Sequence, residues 1–240
     1  MKKLFTCFLL LSSLNLFAQS TKVYNDVNAK TRPAPSGFTQ LSVSSGIELF
    51  LTQGNETALA VSVSDEKYDA RLKTEVENGV LKIYYDNKGI TWKNDKNAKL
   101  KVYLSCAALE GISGSAGARL VIADEFNFNN LNISFSSGAS FTGKIQARSV
   151  TSTVSSGAFM TPGGVVSTLI VSANSGAMFN GYELMTENCT ASANSGAFIK
   201  LTVQKELTAT ANSGGQVLYK GNGTVVKKQV NSGGIVKAVK

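Results

Sequence analysis

The residues able to do chemistry are few, and their spacing suits it poorly. The chain contains no histidine. That removes serine–histidine–aspartate and cysteine–histidine triads, histidine-bound zinc and the commonest general base. From Gly111 onward the only carboxylates are Asp124, Glu125, Glu183, Glu187 and Glu206. Glycoside hydrolysis needs two carboxylates facing each other across the scissile bond. Glu183 and Glu206, 23 residues apart, are the one pair whose spacing allows a chance approach. A lyase needs clustered aspartates around calcium plus a base, and these acids are too scattered. No GxxxxGK phosphate loop occurs. The aspartate-bearing nonapeptide of calcium β-rolls is also absent. The expectation is no catalytic residue, no cofactor and no metal.

The elements that hold these residues are set by a repeat. Ser136-Ser137-Gly138 recurs as Ser155-Ser156-Gly157, Asn174-Ser175-Gly176, Asn194-Ser195-Gly196, Asn212-Ser213-Gly214 and Asn231-Ser232-Gly233. The glycines are spaced by 19, 19, 20, 18 and 19 residues. Such a period means a solenoid, a propeller or an array. Propeller blades need about twice this length.

Aligning on the glycine sorts the side chains. Seven residues before it stand Leu131, Val150, Leu169, Cys189, Leu207 and Val226. Three before stand Phe135, Val154, Ala173, Ala193, Ala211 and Val230. Three after stand Phe141, Met160, Phe179, Ile199, Val217 and Val236. The positions four and two before hold only Ser, Thr, Asn or Gln. This period of two marks strands with one buried face. Each unit therefore reads as strand, Ser-Gly corner, strand and a looser corner. The fold class is all-β: a β-helix of about 19-residue coils with a β-rich N-terminal head. Coils stack about 4.8 Å apart, so Asn174, Asn194, Asn212 and Asn231 are expected to form an amide ladder.

Three surface features are candidates for binding. Two residues after the glycine stand Phe159, Met178 and Phe198. Alternation points them outward as an apolar stripe, and such patches mark contacts with a partner or a second copy. The outward Ser/Thr/Asn columns form a polar ladder that suits a glycan. Trp92, the sole tryptophan, lies in a lysine-bearing loop between Tyr85 and Lys99 and suits stacking on a sugar ring.

Residues 1–18 read as a signal peptide. Lys2 and Lys3 precede the apolar run Leu4–Leu11, and Ala18 before Gln19 is the expected cleavage point. Cys7 lies too early for a lipoprotein site. No second apolar stretch has spanning length, so no transmembrane segment is expected in the mature chain. Removing Lys2 and Lys3 leaves 22 basic and 16 acidic residues, a formal +6. Residues from Gly111 onward carry 10 basic and 5 acidic groups. A mildly basic solenoid suits an acidic glycan or membrane surface, or simply solubility and edge protection. Dispersed lysines without an arginine cluster argue against nucleic acid. Cys106 and Cys189 both fall on inward positions some four rungs apart. That is too far for a disulfide, so both read as small buried hydrophobes.

Residues 19–37 form a leader, with Thr31–Ser36 lacking regular structure. Strands of the head, residues 38–110, follow at Phe38–Val43, Ile47–Leu51, Ala58–Ser64 and Lys99–Ser105. Leu72–Val76 and Val80–Tyr85 flank Glu77-Asn78-Gly79, a hairpin signal. Residues 111–240 hold the repeats, continuous with the head. Lys227, Lys228, Lys237 and Lys240 in the last coil read as charge protecting an open edge, and the head strands as a cover for the other end.

Phe38, Ser45-Gly46-Ile47, Gln53-Gly54 and the phrase Glu75-Val76-Glu77-Asn78-Gly79-Val80-Leu81-Lys82-Ile83 occur in that order, followed by Ser-Gly-Ala phrases as at Ser137-Gly138-Ala139. This arrangement resembles the head GIN domain family, described as "putative autotransporter adhesins", from about Phe38 to the C-terminus. The resemblance implies a β-superhelix similar to pectin-lyase-like folds without their catalytic residues, and a role in adhesion. Autotransporters carry a membrane barrel after the passenger; no amphipathic strands of barrel length follow the repeats here. The reading is an exported, non-enzymatic binding and adhesion module, in the periplasm, at the outer surface or released. Its partner is a glycan, a cell surface or a second copy. The alternatives are a carbohydrate-active or carbohydrate-binding protein of pectin-lyase-like class and a structural envelope protein.

Overall fold

The computed structural model describes residues 26–89 and 98–239. The signal-peptide reading, Cys7, Trp92 and Lys240 fall outside them. The head contributes β1 (Lys30–Arg32), β2 (Gln40–Val43), β3 (Glu48–Gln53) and β4 (Ala58–Val63). A 3-10 turn (Glu66–Arg71) leads into β5 (Leu72–Glu77), β6 (Val80–Tyr85) and β7 (Leu100–Cys106). The repeats contribute β8 (Gly111–Gly114), β9 (Arg119–Phe135), β10 (Ser140–Val154), β11 (Phe159–Ala173), β12 (Met178–Ala193) and β13 (Phe198–Ala211). The last coil holds β14 (Gln216–Lys220), β15 (Thr224–Val230) and β16 (Ile235–Ala238). Together they wind a β-solenoid of about 7 turns with coils of about 19 residues.

The sharp corner explains the repeat phrase. At each one, two successive residues adopt left-handed backbone, as at Ser137 (φ 53°) and Gly138 (φ 71°). Ala139 N–H then donates to Ser136 O at 3.1 Å, closing a four-residue turn. Positive φ at both central positions belongs to the type I′ turn, which glycine accepts without a Cβ penalty. Gly138 N–H points out of its own turn and donates to Ser156 O of the next coil at 3.2 Å. The same bond links Gly157 to Ser175, Gly176 to Ser195, Gly196 to Ser213 and Gly214 to Ser232. The column reaches back into the head. Gly46 N–H donates to Ala116 O at 2.9 Å, and Gly117 N–H to Ser137 O at 3.0 Å. Ser45-Gly46 and Ala116-Gly117 are thus earlier corners of the same stack, both left-handed.

Strands β9 to β13 pair in parallel, each with the next. Each leaves a Ser-Gly corner, bends at the looser corner and returns. Register shifts between Thr142 and Lys144, Met160 and Gly163, and Gly181 and Met185 mark that bend. In-register pairing piles Leu131, Val150, Leu169, Cys189 and Leu207 into one column. None is more than 4% exposed. Burying a side chain of this size contributes about 1.5–3 kcal/mol, so stacking is the main use of the sequence. Cys106 and Cys189 are both buried and free.

The ends depart from the expected pattern. A register shift between Leu207 and Thr208 pairs Leu207 with Val225. Val226, expected in the core column, is therefore 55% exposed. Val230 does stand over Ala211, yet is 40% exposed, because no described coil lies beyond it. Lys228 stands over Ala209, and its Nζ donates to Val236 O at 2.9 Å. At the other end β5 pairs antiparallel with β6 through the Asn78-Gly79 turn, and β4 pairs antiparallel with β7. The leader is not wholly irregular. Its Lys30–Arg32 forms β1, paired antiparallel with β4. Arg32 fixes it there by donating to Leu72 O at 2.6 Å and to Asp69 Oδ1 at 3.1 Å.

Candidate binding face

The outward column two residues past the corner forms by register. Ser140 pairs with Phe159, Phe159 with Met178, Met178 with Phe198 and Phe198 with Gln216. Phe159 is 40% exposed, and Met178 and Phe198 are half-buried. The corner does not turn them inward, because Met160, Phe179 and Ile199 beside them fill the core. The structure thus places the three predicted residues together on one face. Gly138, Gly157, Gly176, Gly196, Gly214 and Gly233 all take the corner position, with φ from 68° to 74°.

The asparagine ladder is shorter than expected. Asn212 Nδ2 donates to Asn194 Oδ1 at 2.9 Å, and Asn231 Nδ2 to Asn212 Oδ1 at 3.0 Å. Asn174 does not join. Its Nδ2 donates within its own strand to Ser172 Oγ at 3.2 Å. Asn194 Nδ2 does the same with Ser192 Oγ at 3.2 Å.

Next along the strands from the apolar stripe runs a polar column of Thr142, Thr161 and Asn180. Thr142 and Thr161 share a hydrogen bond of 2.9 Å between their hydroxyls. Beyond this column lies a groove of about 800 Å³ that the sequence reading missed. Asp124, Glu125, Glu183 and Lys144 line it together with Gly143, Gly163 and Gly164. Glu125 pairs in register with Lys144, Lys144 with Gly163, and Gly163 with Glu183. The missing side chain at Gly163 opens the hollow between Lys144 and Glu183. Glu125, Lys144, Gly163 and Glu183 each stand thirteen residues before the next corner glycine, a spacing that aligns them, but their mixed residue types hide the column.

The carboxylates are exposed. Glu125 and Glu183 sit three rungs apart, about 14 Å along the stack. Glycoside hydrolysis works at carboxyl separations of about 5–9.5 Å. Glu183 and Glu206 do not converge either: Glu206 lies beside Asn188, and Glu187 pairs with Lys205 at 3.1 Å. No group of three or more His, Cys, Asp or Glu able to hold a metal ion occurs among the described residues.

Two further features lie outside the predicted set. Lys200 and Lys220 both stand over the Tyr182 ring, 5.6 and 5.0 Å from its centroid, and burial raises the Tyr182 pKa. Val165 and Met185, paired in register, are each 49% exposed. Among the described residues no helix is long and apolar enough to cross a membrane.

Comparison with known proteins places this geometry. The family model described as "Putative auto-transporter adhesin, head GIN domain" matches residues 37–223. A crystal structure described as a putative adhesin from Bacteroides fragilis superposes with a TM-score of 0.80 at 16% identity, covering 89% of this chain and 98% of that one. A putative adhesin from Parabacteroides merdae gives 0.67 at 14% identity, covering 90% and 98%. A putative lipid binding protein from Parabacteroides distasonis gives 0.62 at 18% identity, also covering 90% and 98%. At these identities the likeness is one of fold. No curated protein matches the chain.

Proposed function

We propose that this chain, which belongs to the head GIN domain family of putative auto-transporter adhesins, is an exported, non-catalytic binding module that attaches to a cell-surface partner. The observation that carries the reading is the outward column Phe159–Met178–Phe198, held in register on a stacked sheet. Three large apolar side chains on consecutive coils cost solubility and add nothing to the core. A contact surface gives them a use. The sheet fixes their spacing before any partner arrives, which lowers the entropy lost on binding. The charged N-terminal start and apolar run of residues 1–18 support export.

The test uses beads coated with the mature protein and scored for attachment to whole cells. The triple substitution Phe159→Ser, Met178→Ser, Phe198→Ser is expected to abolish attachment with the fold intact by circular dichroism. Attachment unchanged in that variant overturns the reading. A degradation screen on neutral and acidic polysaccharides is expected to show no turnover. Turnover lost in Glu183→Gln would replace the binding reading with a carbohydrate-active one. Cell fractionation locates the mature chain in periplasm, outer membrane or medium.

A further inference from the structure

We propose that the glycine-lined groove beside the apolar stripe is a second ligand site, and that it takes a short uncharged oligosaccharide laid along the solenoid axis. The proposal deepens the binding reading above and rests on it.

Size and shape come first. The groove holds about 800 Å³, within the range of about 300–1,000 Å³ typical of small-ligand sites. It spans the coils of Glu125, Lys144, Gly163 and Glu183, which is about 14 Å along the stack. That length suits linked rings better than a single one. Its lining includes Gly143, Gly163 and Gly164, which bring no side chain into it. A flat ring can approach bare backbone closely, which is one of the few uses of successive glycines in a sheet. Gly164 has a structural reason to be glycine, since a Cβ there would overlap Ile145 O. Gly163 has none. A Cβ built on it meets Glu183 O at 3.4 Å and Lys144 Cγ at 3.8 Å, which is ordinary contact. The hollow at Gly163 is therefore not forced by packing.

The chemistry of the walls selects the ligand. Thr142 and Thr161 offer hydroxyls that both donate and accept. Asp124, Glu125 and Glu183 offer acceptors, and Lys144 offers donors. Asn180 lines the same wall, and its Oδ1 is buried without a hydrogen-bond partner. An unused buried acceptor is costly to a fold, and a ligand hydroxyl that reached it would satisfy it. Such mixed acceptors and donors match sugar hydroxyls, which do both. Three acids against one lysine disfavour an acidic glycan. Lys144, set between the acids in the same column, interrupts the row that a basic peptide would need.

The test measures binding of the mature protein to an array of neutral, amino-bearing and acidic linear oligosaccharides, with titration calorimetry on the best ligand. A neutral chain is expected to bind. Gly163→Leu, whose Cβ meets only ordinary contacts and whose side chain would occupy the hollow, should lower that affinity at least about tenfold. Glu183→Gln, a surface change that keeps the volume, should lower it about threefold to tenfold. Neutral glycans all silent, an acidic glycan preferred, or Gly163→Leu without effect each overturns the proposal. The two readings separate cleanly. A silent array with cell attachment intact removes the groove and leaves the adhesive stripe. Neutral-glycan binding lost in Gly163→Leu, with no cell attachment by the parent protein, keeps the groove and removes the stripe.

Discussion

Asn212 donates from Nδ2 to Asn194 Oδ1 across 2.9 Å, although the two residues are 18 apart in sequence. Asn212 also accepts from Asn231 Nδ2 at 3.0 Å, so it is the middle rung of the amide ladder. Asn212→Ala removes both bonds and leaves Asn231 without its acceptor. The expected loss is about 1–2 kcal/mol in urea unfolding. Asn174→Ala removes only the bond to Ser172 within its own strand and is expected to cost under about 0.5 kcal/mol. Equal losses at the two sites would mean that the inter-coil bonds add nothing.

The Ser-Gly corner makes a sharper prediction, because backbone and packing separate there. A Cβ on Gly176 would meet nothing within 4 Å, but its φ is 68°. Gly176→Ala is therefore expected to cost about 1–2 kcal/mol from conformation alone. The preceding Ser175 already bears that strain, with φ 53°. Asparagine tolerates left-handed backbone better than serine, so Ser175→Asn should raise the thermal midpoint. A fall in the midpoint would show that the serine hydroxyl has a role of its own.

The corner phrase, the alternation and the coil length were legible because a stack repeats each local solution. Leu169, Cys189 and Leu207 announce their column since every coil must place an apolar residue there. The outward stripe was legible by the same rule, as Phe159 lies next to buried Met160. What broke the repeat was hidden. The register shift at Leu207 moves Val225 inward and Val226 out, and a bulge of one residue leaves the hydrophobic composition unchanged. The groove kept the period but not the chemistry. Glu125, Lys144, Gly163 and Glu183 each stand thirteen residues before the next corner glycine, but an acid, a base, a glycine and an acid share no residue type that would mark a column. The leader strand β1 was masked by Pro33 and Pro35, which follow it closely.

The two thiols set an alkaline limit on stability. Burial pushes Cys106 and Cys189 up to about 12 from 9.0. The unfolded chain ionises both near pH 9, while the folded chain holds both protons until about pH 12. Stability from this source is complete below pH 9 and is lost as pH rises toward 12. The slope is about 1.4 kcal/mol per pH unit for each thiol. Urea midpoints measured from pH 8 to 11 should fall accordingly. Cys106→Ala with Cys189→Val should flatten the fall. A residual slope is expected from Tyr103, raised to about 12 by burial and by its bond to Asp26. Native protein at pH 8 should also resist thiol reagents that label it fully in urea.

The last coil trades stability against self-pairing at Lys228. It stands over Ala209, at a position held by Ile133, Val171 and Ala191 in earlier coils. An aliphatic residue there would extend the apolar column next to Val225 and Val230. It would also remove the bond from Nζ to Val236 O. Those terms oppose each other and are similar in size, about 1 kcal/mol each, so Lys228→Val should shift the urea midpoint little. Its effect should appear in association. An uncharged apolar strand edge is a template for another chain, and lysine on the edge blocks that pairing through the cost of burying its charge. Light scattering of Lys228→Val should therefore show concentration-dependent growth that the parent protein lacks, and Lys228→Arg should stay like the parent. A Lys228→Val protein as monodisperse as the parent would show that the lysine is not what guards this end.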